Sequence, residues 1–183
     1  MSDTAQHLCG IYLISPPEIS LRAFPKQLCA TLKAGDVACF QLRLKEADDK
    51  TIRNVSRHLL PICQEHGVAF LVNDRPDLAV DVGADGVHVG AKDATYAAAR
   101  RIVGKESIVG VSCYDSLDSA IIAGEEGADY IIGETFYYAE EAYVALEEIK
   151  RLNFPAVITI SPMAENTMRD GISIIDTCKE LEQ

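Results

Sequence analysis

Short apolar runs alternate along the chain with longer segments whose apolar positions recur at helical spacing. The runs Ile11 to Ile14 (IYLI), Val37 to Leu42, Val68 to Val72, Gly86 to Val89, Ile108 to Val111, Tyr130 to Ile132 and Ala156 to Ile160 have strand length. Leu21 to Lys33 reads as a helix with Leu21, Phe24, Leu28 and Leu32 on one face. Asp48 suits the N-cap of a second helix running to about His66, with Ile52, Val55, Leu59 and Ile62 inward and Pro61 as a candidate kink. Pro76 opens a short helix that Gly83 closes. Three further helices are predicted at Ala94 to Val103, Asp115 to Glu126 (closed by Gly127) and Glu140 to Leu152.

Seven strand-helix units by residue 160, with no shift in composition, predict a compact α/β (β/α)8 TIM barrel spanning residues 1–183 as a single domain. An open doubly wound sheet is the competing architecture, but no G-x-G-x-x-G follows a strand. Two short repeats support the parsing: Gly83-Ala84-Asp85 and Gly127-Ala128-Asp129 each follow a helix and precede a strand. The tail is short for the fold, whose lower limit is roughly 200 residues. Gly171 to Ile175 (GISII) is the candidate eighth strand, with Glu165 to about Asp170 as helix seven and Asp176 to Glu182 as a stub of helix eight. A weak or distorted closure between strands seven, eight and one is expected.

The composition, 48% hydrophobic and 25% charged, is that of a globular protein. A net charge of −11 argues against a nucleic-acid partner, which would need a basic patch. It does not exclude small anions, because a few placed cations can hold a phosphate. No apolar run reaches the roughly 20 residues of a membrane helix, and MSDTAQHLCG has no signal-peptide pattern. The expected location is the cytoplasm, with no membrane partner. Cys9, Cys29, Cys39, Cys63, Cys113 and Cys178 form no C-x-x-C pair and read as reduced, mostly buried small hydrophobes.

Parallel strands bring their C-terminal ends to one edge, where barrel sites form. Asn73 and Asp74 follow strand three and Asp93 follows strand four, so two carboxylates distant in sequence reach one rim. That suits a hard cation such as Mg²⁺, which takes one or two carboxylates plus waters and phosphate oxygens. The structural alternatives are an N-cap role for Asp93 and a turn role for Asp74. Gln41, Arg43 and Lys45 alternate in QLRLK and would share a face, where the cations could hold phosphate. Ser112 follows strand five as a phosphate donor or a helix cap, and no base adjoins it in sequence. Glu134, Thr135 and Phe136 follow strand six, and an acid there would repel a phosphate or bind a cation. His88 would face the barrel, while Arg75 and Lys92 add charge near the rim. No residue is singled out as a catalytic acid, base or nucleophile.

The segments QLRLK (41–45), NDRPDLAVDVGADGVHVGAKD (73–93), VGVS (109–112) and GADYIIG (127–133) resemble thiamine-phosphate synthase (thiamine-phosphate pyrophosphorylase) and the related thiazole tautomerase. The resemblance implies a (β/α)8 barrel that joins an aminopyrimidine diphosphate to a thiazole phosphate and releases pyrophosphate. It implies that Gln41 contacts the pyrimidine, that Arg43, Lys45, Asn73 and Ser112 hold the diphosphate, and that Asp74 and Asp93 ligate Mg²⁺. The implied partners are small phosphorylated pyrimidine and thiazole ligands, with a homo-oligomer left open.

The second half departs from that family's pattern. GETFYYAEEA stands where the family has a G-P-x-F-x-T-x-T-K loop, with Glu134 in place of the proline. Ile160-Ser161-Pro162-Met163 replaces a glycine pair that binds the thiazole phosphate. Ala91 stands for a glutamine, and Tyr114 for the histidine a tautomerase needs. A non-catalytic module that binds Mg²⁺ and diphosphate is therefore carried as the alternative function, and a barrel with altered chemistry at Glu134 as a third.

Overall fold

Strands and helices alternate through the computed structural model, which describes residues 10–90, 92–114, 116–163 and 165–182. The strands are β1 (Ile11–Ile14), β2 (Val37–Leu42), β3 (Ala69–Asn73), β4 (Gly86–Val89), β5 (Ile108–Ser112), β6 (Tyr130–Phe136) and β7 (Ala156–Ile160). The helices are α1 (Phe24–Ala34), α2 (Asp49–Glu65), α3 (Pro76–Val82), α4 (Tyr96–Val103), α5 (Leu117–Glu126), α6 (Ala139–Arg151) and α7 (Ile174–Leu181). The strands form one sheet in sequence order, each parallel to the next. This is the (β/α)8 barrel plan, a nearly closed barrel with seven strands among the described residues.

Period-two alternation sorts the side chains between two layers. Phe40, Leu42, Phe70, Val72, Val87, Val89 and Val109 turn outward into a core shared with Leu28, Leu59 and Leu78 of the helices. A second, alanine-rich cluster places Ala120 and Ala123 of α5 and Ile149 of α6 against Ile131. Leu71, Tyr130 and Ile132 turn the other way, into the barrel, beside Tyr12, Cys39, Ile108 and Val157. The barrel axis is therefore filled from alternate positions of the same strands that build the outer core.

The helix ends follow their local chemistry. Asp48 accepts from the Thr51 amide at 2.8 Å, and α2 continues through Pro61 to Glu65. Gly83 and Gly127 close α3 and α5 in the left-handed region, at φ 73° and 95°. The aspartate of each Gly-Ala-Asp repeat then does the same job: Asp85 Oδ2 accepts from the Phe70 amide and Asp129 Oδ2 from the Val109 amide, both at 2.7 Å. The repeat is thus a device that ends a helix and ties the next strand to its neighbour.

Three expectations are corrected. Gly171 to Ile175 is not an eighth strand: Ser173 caps α7, its side chain accepting from the Asp176 amide. Glu165 to Asp170 is not a helix but a series of turns, closed by an antiparallel bridge between Thr167 and Ser173. Strand six is longer than its apolar run and continues through Glu134 to Phe136, leaving only Tyr137 and Tyr138 before α6. The alternation of GISII yields to the cap, because so short a segment without a facing strand cannot satisfy its backbone groups as β. Two smaller shifts follow from capping: Thr95 caps α4 and Ser116 caps α5, so these helices start at Tyr96 and Leu117. Asp115, the predicted start of that helix, lies outside the described residues, as do Cys9 and Ala91.

Candidate active site

The C-terminal ends of β2 to β6 carry a connected set of polar side chains. Gln41, at the end of β2, is 2% exposed, and its Nε2 donates to Asn73 Oδ1 of β3 at 2.5 Å. This bond uses the Asn73 oxygen and leaves Asn73 Nδ2 as a buried donor with no protein partner. An unpaired buried donor is costly unless something else accepts from it. The pair therefore leaves the Asn73 NH2 group as a free donor at the rim.

Asp74 follows directly, in the left-handed region at φ 64°, with its amide held by the His88 carbonyl at 2.8 Å. A non-glycine residue in that conformation persists only where its surroundings over-determine it. Burial, then a hydrogen bond and repulsion from Asp93, push the Asp74 carboxyl up to about 6, while Lys45 and Arg43 pull it down. The two carboxyls therefore face one another. Lys45 Nζ lies 3.8 Å from Asp74 Oδ2. Asp93 is not a helix cap: its Oδ2 accepts from the Gly90 amide at 3.0 Å, closing the turn after β4. Among the described residues no three His, Cys, Asp or Glu side chains gather as a metal cluster. Two carboxylates that would repel each other without a cation, beside Lys45 and an unpartnered amide donor, suit Mg²⁺ held partly by ligand oxygens.

Of the sequence-selected residues, Gln41, Asn73, Asp74, Asp93 and Lys45 are directly linked. Arg43 sits on the same rim, its charge felt by both Asp74 and His88. Arg75 is not available there, since it pairs with Asp49 and Asp77, each at 2.7 Å. Lys92 is exposed. Ser112 caps no helix. It is 6% exposed and bonded to His88 Nε2 at 2.8 Å and to Glu134 Oε1.

Two residues that the pattern did not single out join the rim groups beneath it. Tyr130 OH meets His88 Nδ1 at 3.1 Å and Tyr12 OH at 2.8 Å, and Tyr12 OH reaches Gln41 Oε1 at 3.2 Å. The chain Glu134–Ser112–His88–Tyr130–Tyr12–Gln41–Asn73 thus crosses the barrel interior. The only signal for the tyrosines was their inward phase in short strands. Burial pushes both phenols far above the usual range and pulls His88 down to about 4, so all three are neutral near pH 7.

A small hollow of about 130 Å³ is lined by Lys45, Asn73, Asp74 and Arg75. A larger cavity of about 730 Å³ shares no lining residue with it and lies by α5 and α6, lined by Leu117, Phe136 and Val144 and by Glu134, Glu140 and Glu141. Among the described residues its lining holds no Lys or Arg, whereas the smaller hollow is lined by Lys45 and Arg75.

The sequence profile described as thiamine monophosphate synthase matches residues 11–147. The chain belongs to that family. It is 54% identical over 129 residues to a thiamine-phosphate synthase of Rhodospirillum centenum, a match covering 70% of this chain and 62% of that protein. It is 43% identical over 144 residues to the thiamine-phosphate synthase of Hyphomonas neptunium, covering 75% and 65%. The matched segment therefore spans less than two thirds of these relatives. A thiamine phosphate pyrophosphorylase from Pyrococcus furiosus has the same fold, with a TM-score of 0.70 at 23% identity over 95% of this chain and 97% of that one. The family match begins at β1 and stops inside α6, so it includes the whole rim from Gln41 to Glu134. The departures at Ser161 to Met163 lie beyond it.

Proposed function

We propose that the protein is a thiamine-phosphate synthase, coupling an aminopyrimidine diphosphate to a thiazole phosphate with release of pyrophosphate. The observation that carries this reading is the Asp74–Asp93 pair facing each other beside Lys45 and the unpartnered Asn73 Nδ2, within a segment that matches the family. In the reaction the C–O bond at the pyrimidine methylene breaks and its electron pair leaves on pyrophosphate. The lone pair of the thiazole nitrogen forms the new C–N bond.

Asp74 and Asp93 would hold Mg²⁺, which would supply positive charge to the leaving diphosphate. Arg43 and Lys45 would add fixed cations for its oxygens, and Asn73 Nδ2 and the Ser112 hydroxyl neutral donors. Gln41 would orient Asn73 and border the pyrimidine ring. The cytoplasm is the compartment in which such phosphorylated substrates would meet the enzyme.

The test is pyrophosphate release from both substrates with Mg²⁺. Release above the no-enzyme control is expected, falling about 100-fold or more in Asp93→Asn, the scale of losing a several-kcal/mol charge contact. No release from the parent protein would overturn the reading.

A further inference from the structure

Glu134 stands at an unusual junction. Its carboxylate accepts the Ser112 hydroxyl, and Ser112 is also bonded to His88 Nε2 at 2.8 Å. A serine hydroxyl has one proton. If Ser112 donates to Glu134, the bond to His88 requires His88 to donate from Nε2. His88 is buried and neutral, so its Nδ1 then has no proton and must accept from Tyr130 OH, 3.1 Å away. Tyr130 in turn accepts from Tyr12. From Tyr12 onward every proton points toward Glu134.

This direction has a cost at the far end. Tyr12 has one proton and two neighbours, Tyr130 OH at 2.8 Å and Gln41 Oε1 at 3.2 Å. Running toward Glu134, the chain leaves the Gln41 oxygen short of a donor. Running the other way, Ser112 donates to His88 Nε2, His88 Nδ1–H to Tyr130, Tyr130 to Tyr12 and Tyr12 to Gln41, and every acceptor except the Glu134 carboxylate is served. Only the carboxylate acceptor favours the first direction.

We propose that Glu134 is a positioning residue: by accepting the Ser112 proton it sets the direction of the buried chain through His88 and withholds that hydroxyl from an anion at the rim. An incoming phosphate oxygen and Glu134 therefore compete for one proton. The anion half of this proposal rests on the diphosphate reading above, whereas the proton-direction half does not.

Two measurements test it. In ¹⁵N-imidazole spectra at neutral pH, with His88 assigned through His88→Gln, the parent protein shows the Nε2–H tautomer. Glu134→Ala shifts His88 to the Nδ1–H tautomer, and Glu134→Asp keeps Nε2–H. The same tautomer in the parent and Glu134→Ala overturns the positioning role, which a merely structural Glu134 would also produce. For the second, inorganic pyrophosphate is titrated calorimetrically in Mg²⁺ buffer. Glu134→Gln tightens binding about tenfold, the scale of one charge-assisted hydrogen bond. In a Ser112→Ala background the same substitution has little effect. Equal tightening in both backgrounds shows a bare charge effect and overturns the competition, as does no tightening in Glu134→Gln. Absence of pyrophosphate binding in every variant sinks the diphosphate reading and the anion half with it, and the tautomer then decides the positioning half alone.

Discussion

His88 and Asp74 titrate with opposite effect on stability, although they lie beside each other. His88 falls from an unfolded value near 6.5 to about 4 because its imidazolium would be buried. Between those values the unfolded chain binds the extra proton, so His88 contributes stability above about pH 6.5 that is lost as pH falls toward 4. The contribution is on the order of 3 kcal/mol. Asp74 rises from 3.8 to about 6, so there the folded state binds the extra proton and acid favours folding across that interval. Urea denaturation of the parent alone would mix the two. The difference between the parent and His88→Gln isolates the histidine: the variant is expected to lose stability less steeply on acidification from pH 6.5 to 4. Identical slopes would show that His88 is not buried neutral.

At the scale of elements, the site depends on which strand positions are small. Gly110 is the inward neighbour of His88 across β4 and β5, and a Cβ there would overlap the Tyr130 ring. This close approach lets Tyr130 lie across the barrel and reach both His88 and Tyr12. Gly110→Ala is therefore expected to cost about 1–3 kcal/mol in chemical denaturation, the scale of overpacking. It should also weaken pyrophosphate binding, because the Tyr130 hydroxyl leaves the chain. An unchanged midpoint would mean the ring has room to move. The alternation in QLRLK and the aspartates after the third and fourth strands were legible because period two and parallel pairing are short-range rules. Glu134 was legible as an acid near the rim but not as the partner of Ser112, because that contact spans 22 residues and two strands.

For the whole molecule, the sheet order runs from β1 to β7 without an eighth strand among the described residues. All of β7 is only half-buried, and both end residues of β1, Ile11 and Ile14, are exposed, whereas β4 is buried throughout. Opening should therefore be graded across the barrel. In native-state hydrogen exchange, amides of β1 and β7 are expected to exchange faster than those of β3 to β5 by more than about tenfold. Uniform protection would imply that the two ends are closed on each other. The rim groups from Gln41 to Ser112 lie at or just past the ends of β2 to β5, the better buried part, which suits a site that must hold its donors still.

The sequence by itself determined the alternation of strands and helices, the parallel order that follows from it, and the arrival of Gln41, Asp74 and Asp93 at one edge. These rest on local periodicity and on the handedness of strand-helix-strand connections, which act over tens of residues. Only the tertiary structure decided that the tail caps a helix instead of forming a strand. It alone decided that Asn73 keeps an unpaired donor and that Glu134 closes a chain of protons running through Tyr12, Tyr130 and His88. Those outcomes depend on distances between side chains far apart in sequence, and on a count of donors and acceptors that no local pattern carries.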